Sequence, residues 1–141
     1  MKQLGISGVT FHSVVTRQEI GKVYDQADIF INGSRLDNMP VSVLEAFAAG
    51  LPVVSTAPEG MRYLIDHERT GLLSPPEDWR ALATNVLRLL ENPRLAARII
   101  AEAHQRSETY HWTAVREQWL NLYASIAPKS KTVPSRITSA A

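Results

Sequence analysis

The spacing of apolar residues alternates along the chain between short unbroken runs and helical repeats. The runs predict four short strands, at residues 8–12, 28–32, 52–55 and 71–73. The repeats predict three intervening helices, over about residues 17–26, 41–49 and 60–65. Of the strands, Asp28–Asn32 is apolar enough to be buried on both faces of a sheet. Alternating strands and helices of this kind are typical of a parallel α/β sheet.

The ends of two of these helices carry residues with strong local preferences. Thr16 followed by Glu19 is a capping box and predicts the start of the first helix. Pro40 suits the first turn of the second helix, because an N–H is not needed there, and Gly50 suits its end. These signals support the boundaries given by the apolar pattern.

From Pro75–Pro76 onwards the pattern is helical throughout, and Pro93 separates the first of three helices from the second. The three apolar faces consist of Trp79, Leu82, Ala83, Val86, Leu87 and Leu90; of Leu95, Ile99, Ile100 and Ala103; and of Trp112, Val115, Trp119, Leu122, Tyr123 and Ile126. We interpret them as core-packing faces rather than a cofactor site.

Composition and charge narrow the class of protein. A length of 141 residues predicts one domain, and the absence of cysteine excludes disulfides and thiolate metal sites. Residues 128–141 carry a charge of +3 and are rich in Ser, Thr, Pro and Ala, so we predict a disordered tail. The domain, residues 1–127, is left with −2 of the overall +1. This mildly acidic body gives no electrostatic footprint for nucleic acid.

No run of about 18 apolar residues occurs, so the sequence predicts no transmembrane segment. No signal peptide is evident at the N-terminus. We therefore expect a soluble cytoplasmic protein. Contact of the basic tail with the inner membrane, as a peripheral protein, is the alternative, although such tails normally carry more charge.

Candidate chemistry gathers where the predicted strands end. The loops at residues 13–16, 33–40 and 56–59 follow three of them, and such loops open on one edge of a parallel sheet, where ligands bind. The polar side chains expected at this edge are His12, Ser13, Ser34, Arg35, Asp37, Asn38 and Glu59.

Glu45 is the single charge of the apolar helix at residues 41–49, and Asn38, Ser42 and Glu45 share one stripe. The stripe faces either water or a polar ligand in a cleft. For the second alternative, the helix start suits a phosphate, and Glu45 could accept hydrogen bonds from the neighbouring hydroxyls of a ribose. Asp37, eight residues earlier, could hold a hydroxyl of the group that the phosphate carries. Together these features are compatible with a nucleotide-sugar.

The run SRLDNMPVSVLEAFAAGLPVV at residues 34–54 resembles the group 1 (family four) glycosyltransferases, and weaker likeness extends over roughly residues 8–126. The resemblance implies the GT-B fold, with this chain forming part of its C-terminal, Rossmann-like domain. It also implies a retaining enzyme that transfers a glycosyl group from a nucleotide-sugar donor to an acceptor.

The resemblance assigns roles to individual residues. Glu45 corresponds to the glutamate that binds the donor ribose, and Asp37, one methylene shorter than the family's glutamate, to the acid beside the donor sugar and diphosphate. Ser13 stands where the family often has a glycine, and Glu59–Gly60 replaces a glycine pair. The backbone amides that meet the sugar and phosphates fall at Asn38, Met39, Pro40, Val41 and Ser42, although Pro40 has no N–H.

Family members are more than twice this long, and the resemblance leaves their acceptor-binding domain and their diphosphate-binding Arg and Lys without counterparts. We therefore expect the chain to be inactive alone. We also expect it to need an N-terminal segment or partner chain, or to self-associate through an open sheet edge. No cofactor or metal is expected, since His12, His67, His104 and His111 lie on different elements. The alternatives are a non-catalytic nucleotide-binding or regulatory module, and an α/β interaction domain without a ligand.

Overall fold

A computed structural model describes Gly5 and residues 7–126, in which three parallel strands form one sheet. The strands, in sheet order, are β1 (Phe30–Asn32), β2 (Val53–Thr56) and β3 (Leu72–Ser74). The helices are α1 (Ile20–Tyr24), α2 (Val41–Ala48), α3 (Met61–Leu64), α4 (Trp79–Glu91), α5 (Pro93–Glu108) and α6 (Trp112–Ile126). The predicted fold class, a partial Rossmann-like parallel sheet with flanking helices and a helical C-terminal segment, is confirmed.

The core lies around β2, the central strand, whose four residues are all buried. Phe30 pairs with Val53 on one side, and Val54 pairs with Leu72 on the other. A cluster of Val54, Leu72, Leu89 and Ile99 joins the sheet to α4 and α5, while α2 contacts β2 and α5. The apolar runs therefore form strands because helices cover the central part of the sheet.

The second helix begins and ends close to where its sequence signals predict. Pro40 is the residue before the first turn rather than a residue within it, so α2 begins at Val41. Gly50 has a φ of +75°, and the N–H of Leu51 donates to the Ala46 carbonyl at 2.9 Å. This is the Schellman arrangement that glycine favours, because the left-handed conformation costs it little.

One predicted strand is absent, and the predicted burial of a second strand on both faces is wrong. Residues 8–12 form no strand, and Phe11 is 77% exposed, because no neighbouring strand in the described chain supplies hydrogen-bond partners for that segment. Asp28–Asn32 does form β1, but at an edge of the described sheet, and Ile31 is 51% exposed rather than buried. An apolar run shows that a strand could be buried on both faces. Whether it is buried depends on which other strands and helices pack against it.

The first helix is shorter than predicted, and only half of its predicted capping box forms, because the Thr16 hydroxyl donates to Glu19 instead of accepting from the Glu19 N–H. The Glu19 carboxylate accepts hydrogen bonds from the N–H and the hydroxyl of Thr16, while the Thr16 carbonyl accepts from the N–H of Glu19 and of Ile20. Residues 17–19 form this turn, so α1 begins only at Ile20.

The three C-terminal apolar faces are buried to very different extents. Leu89, Ile99 and Ala103 are buried, but Trp79, Leu87 and Leu90 are exposed. The α6 stripe is not a core face, since none of the residues of α6 is buried. Amphipathic spacing specifies an apolar face without specifying what packs on it.

The described chain divides into two compact units, one ending at Glu108 and the other beginning at Thr109. The predicted disordered tail at residues 128–141 lies outside the described residues and stays a prediction. Within the described part, no helix is both long enough and apolar enough to cross a membrane.

Candidate functional site

The loop that follows β1, residues 33–40, is fastened to the carboxyl ends of two strands. Asn32 accepts hydrogen bonds at its side-chain oxygen from the N–H of Ser34 at 3.1 Å and from the Ser34 hydroxyl at 2.7 Å. Thr56, the last residue of β2, donates its hydroxyl to the Ser34 carbonyl at 2.6 Å. The first part of this loop is therefore held at the edge where ligands bind to parallel sheets.

The same loop lies directly against the start of α3. A Cβ added to Gly60 would lie 2.2 Å from the Asn38 carbonyl oxygen and 2.3 Å from its Cα. Only a residue without a side chain allows two backbones to approach so closely. Gly60 thus brings the loops at residues 33–40 and 56–59 together, as their positions after neighbouring strands predict.

The start of α2 presents backbone donors at this edge. Pro40 provides no side-chain cap, and the N–H groups of Val41 and Ser42 have no acceptor within the helix because they belong to its first turn. Val41 is 65% exposed and Met39 49% exposed, whereas Ser42 is half-buried. The helix start is therefore accessible and open to an anionic ligand.

Glu45 is half-buried one turn further along α2, where it accepts a hydrogen bond from the Tyr24 hydroxyl at 3.0 Å. Tyr24, at the end of α1, is 9% exposed. Burial, together with the hydrogen bond to Glu45 and its negative charge, raises the pKa of Tyr24 to about 12. Tyr24 therefore stays protonated as a donor, and the Glu45 side chain is tied to its neighbour rather than free in solvent.

Asp37 is half-buried beside Asn38, which is exposed. The Asp37 side chain makes no hydrogen bond or ion pair with any described residue, so its acceptor sites are open. Arg35 pairs with Glu77, but both side chains are more than half exposed, and such pairs contribute little to stability. The structure thus places Asp37 and residues 38–42 on one continuous loop and helix start.

Ser13 does not join this group. It lines another cavity, of about 360 Å³, between the irregular segment after residue 7 and α1, with His12, Glu19 and Lys22 among its other lining residues. None of the candidates at residues 37–45 lines that cavity. The segment lacks the predicted strand that would carry Ser13 to the sheet edge.

Arg62 and His67 line a further cavity of about 310 Å³, with Leu73 and Pro75 among its walls. The His67 Nδ1 accepts a hydrogen bond from the Leu73 N–H at 2.9 Å. No group of three or more potential metal ligands occurs among the described residues.

Three contributors to the site escaped sequence reasoning. Tyr24 lies within the predicted first helix, with no feature of its own to mark it, yet its hydroxyl is the group that contacts Glu45. Thr56 and Gly60 act through contacts with Ser34 and Asn38, residues distant in sequence. In the sequence, each of these residues is only a polar group or a glycine in or beside an apolar element. That feature alone does not show which residue it contacts.

Comparison with known proteins identifies the family to which the chain is similar. The profile described as "Glycosyl transferases group 1" matches residues 1–106. The amylovoran biosynthesis glycosyltransferase AmsK of Erwinia amylovora is 36% identical over 99 residues, which cover 66% of this chain and 24% of AmsK. The chain therefore spans about a quarter of that relative's length.

Solved structures agree with this comparison. Sucrose-phosphate synthase from Thermosynechococcus elongatus superposes with a TM-score of 0.75 at 29% identity, over 82% of this chain and 29% of that protein. Anabaena HepE in complex with UDP superposes with a TM-score of 0.73 at 22% identity, over 78% of this chain and 31% of that protein. A second HepE structure, in complex with UDP-glucose, has a TM-score of 0.69 at 21% identity, over 74% and 29%.

The HepE similarity, at 22% identity or less, concerns the fold alone. The profile covers three quarters of the sequence and includes every strand and the whole region of residues 34–54. The chain therefore belongs to the group 1 glycosyltransferases.

Proposed function

We propose that the chain binds the nucleotide-sugar donor of a retaining glycosyltransferase at the carboxyl edge of its sheet. The observation that carries this proposal is the position of Glu45, a half-buried carboxylate in an apolar helix, held by a protonated tyrosine beside an open helix start. A carboxylate so placed can accept two hydrogen bonds from the neighbouring hydroxyls of a ribose.

The remaining parts of the donor follow the course of the chain. The open N–H groups of Val41 and Ser42, with the positive end of the helix dipole, suit a phosphate. Asp37, a half-buried acid on the adjoining loop whose side chain bonds to no other described residue, suits a hydroxyl of the transferred sugar. Ribose, diphosphate and sugar would then lie in that order from Glu45 towards Asp37.

Transfer itself is proposed for the whole protein to which this region belongs. The nucleoside diphosphate would leave with the electron pair of the glycosidic bond, and an oxocarbenium-like sugar would form. The acceptor would then attack the face that the diphosphate left and lose its proton to the released diphosphate. Hydrogen-bond donors that point at the negative charge developing on the diphosphate would lower the activation barrier of the transfer. The backbone amides at the start of α2 supply part of that stabilisation. We propose no metal and no further cofactor for this step.

Binding is tested by titrating the chain with UDP, GDP and ADP by isothermal calorimetry. We expect saturable binding of at least one of them. Glu45→Gln should weaken it by about tenfold, the usual scale for a hydrogen bond to a charged group. Glu91→Gln, an exposed substitution at the end of α4, is the matched control and should leave the affinity unchanged. Failure of all three diphosphates to bind would refute the proposal.

A separate experiment distinguishes an enzyme portion from a non-catalytic module. In a chimera of AmsK, this chain replaces the aligned 99 residues. Retained glycosyl transfer, lost again in the Glu45→Gln chimera, would support a catalytic role. A folded chimera that binds the donor but transfers nothing would favour the nucleotide-binding or regulatory module.

A further inference from the structure

We propose that Tyr24 is a positioning residue for the donor ribose, acting through Glu45. This inference rests on the proposed function, since it concerns how the Glu45 carboxylate is prepared for its ligand. Its structural basis is the 3.0 Å hydrogen bond from the Tyr24 hydroxyl to Glu45 Oε2, which links the end of α1 to the second turn of α2.

The tyrosine ring is itself held in place. Its centroid lies 6.2 Å from that of Phe30 at a tilt of 58°, and Phe30 pairs with Val53 in the sheet. Tyr24 is only 9% exposed, so its hydroxyl has little freedom to turn towards solvent. The hydrogen bond from Tyr24 therefore fixes the position of the Glu45 carboxylate relative to the sheet.

The Tyr24 hydroxyl uses only part of the hydrogen-bonding capacity of the Glu45 carboxylate. A phenol has one proton to donate, and that proton occupies one of about four acceptor positions of a carboxylate. Among the described residues Tyr24 alone donates to the Glu45 side chain, which leaves Oε1 and the remaining lone pair of Oε2 to a ribose diol. Because the pKa of Tyr24 is raised to about 12, the phenol donates throughout the neutral range.

This arrangement has a specific energetic consequence. A long acidic side chain loses rotamer freedom when it binds a ligand, and a side chain already held in place loses less. The benefit applies only to ligand atoms that Glu45 contacts. Removing the Tyr24 hydroxyl should therefore weaken recognition of the ribose hydroxyls and leave recognition of the phosphates intact.

The test compares UDP, or the diphosphate among GDP and ADP that binds in its place, with its 2′,3′-dideoxy analogue, which lacks both ribose hydroxyls, in the unmodified chain and in Tyr24→Phe. We expect UDP affinity to fall about fivefold in Tyr24→Phe, the equivalent of one ordinary hydrogen bond. We expect the affinity of the dideoxy compound to change by less than about twofold. Tyr63→Phe removes the hydroxyl of an 82% exposed tyrosine and should change neither affinity.

Equal losses for both compounds would overturn the inference, because they indicate general damage to the fold. An unchanged UDP affinity in Tyr24→Phe would overturn it as well. If Tyr24→Phe folds poorly, the calorimetric stoichiometry gives its folded fraction, and the dissociation constant still refers to the folded molecules. Tyr24→Phe in the Glu45→Gln background, measured in the same way, provides the second test: a positioning role predicts a smaller effect on UDP there than in the unmodified chain, and an equal effect contradicts it. Absence of binding of UDP, GDP and ADP alike to the unmodified chain would instead refute the proposed function, and the inference with it.

Discussion

Gly60 lies so close to the backbone of Asn38 that a single methyl group between them would have no room. This approach joins the loop after β1 to the start of α3, and it therefore shapes the edge of the sheet on which the proposed donor site depends. Glycine here serves packing rather than turn geometry, since its φ is not in the left-handed region.

Gly60→Ala should displace the loop at residues 33–40. The new Cβ meets backbone atoms, which cannot rotate away, so we expect a loss of about 1–3 kcal/mol in the free energy of unfolding. We also expect weaker UDP binding. Gly21→Ala is the matched control, because nothing lies within 4 Å of its added Cβ. Chemical denaturation of the two variants measures the difference, and equal stabilities would contradict the steric argument.

Thr56→Val should remove the hydroxyl that holds Ser34 while keeping the side-chain shape. Thr56 is 5% exposed, so the Ser34 carbonyl loses a donor at a site with restricted access to water. We expect a loss of about 1–2 kcal/mol in unfolding free energy. Thr84→Val, at an exposed position of α4, should change it by less than about 0.5 kcal/mol. A Thr56→Val protein as stable as the unmodified chain would argue against this tether.

Alkaline pH should lower the free energy of unfolding of the unmodified protein more than that of the Tyr24→Phe variant. The pKa of Tyr24 is about 12 in the folded protein against 10 for a free tyrosine, so the unfolded chain releases the phenolic proton first. The contribution of Tyr24 is therefore complete below pH 10 and declines as the pH rises from 10 towards 12. Urea denaturation of both proteins at pH 8 and pH 11 measures this. Parallel losses in the two proteins would contradict the assignment.

Ile31→Lys should reduce self-association of the chain. Ile31 is 51% exposed on β1, at an edge of the described sheet, and lines an apolar groove with Trp79 and Leu87. Exposed edges of this kind pair with a second copy, and a charge at the edge opposes that pairing. Sedimentation velocity over a concentration series should show association in the unmodified chain and less in the variant. Val14→Lys, at a 95% exposed position outside the groove, is the control.

Sequence reasoning succeeded where local chemistry and burial agree. The central strand β2 and the helix α2 were predicted nearly to the residue, because an apolar run and a terminal glycine suffice to define them. It failed at residues 8–12 and for the burial of Ile31, where the outcome depends on neighbouring chain rather than on the segment itself. The exposed stripe of α6 is a failure of the same kind.

The candidate site shows the same division. Glu45 and Asp37 stand out in the sequence because single acids in or beside an apolar helix are conspicuous. The contact between Tyr24 and Glu45 joins residues 21 positions apart, on helices whose packing no local pattern specifies. The Gly60 approach to Asn38 depends likewise on the arrangement of two loops.

The missing side-chain cap at Pro40 makes the first turn of α2 a natural reporter. Because no described residue accepts a hydrogen bond from them, the amide protons of Val41 and Ser42 should exchange rapidly with deuterium in the free chain. A phosphate seated there would slow that exchange. Hydrogen–deuterium exchange at these two amides would therefore reveal ligand occupancy even when no glycosyl group is transferred.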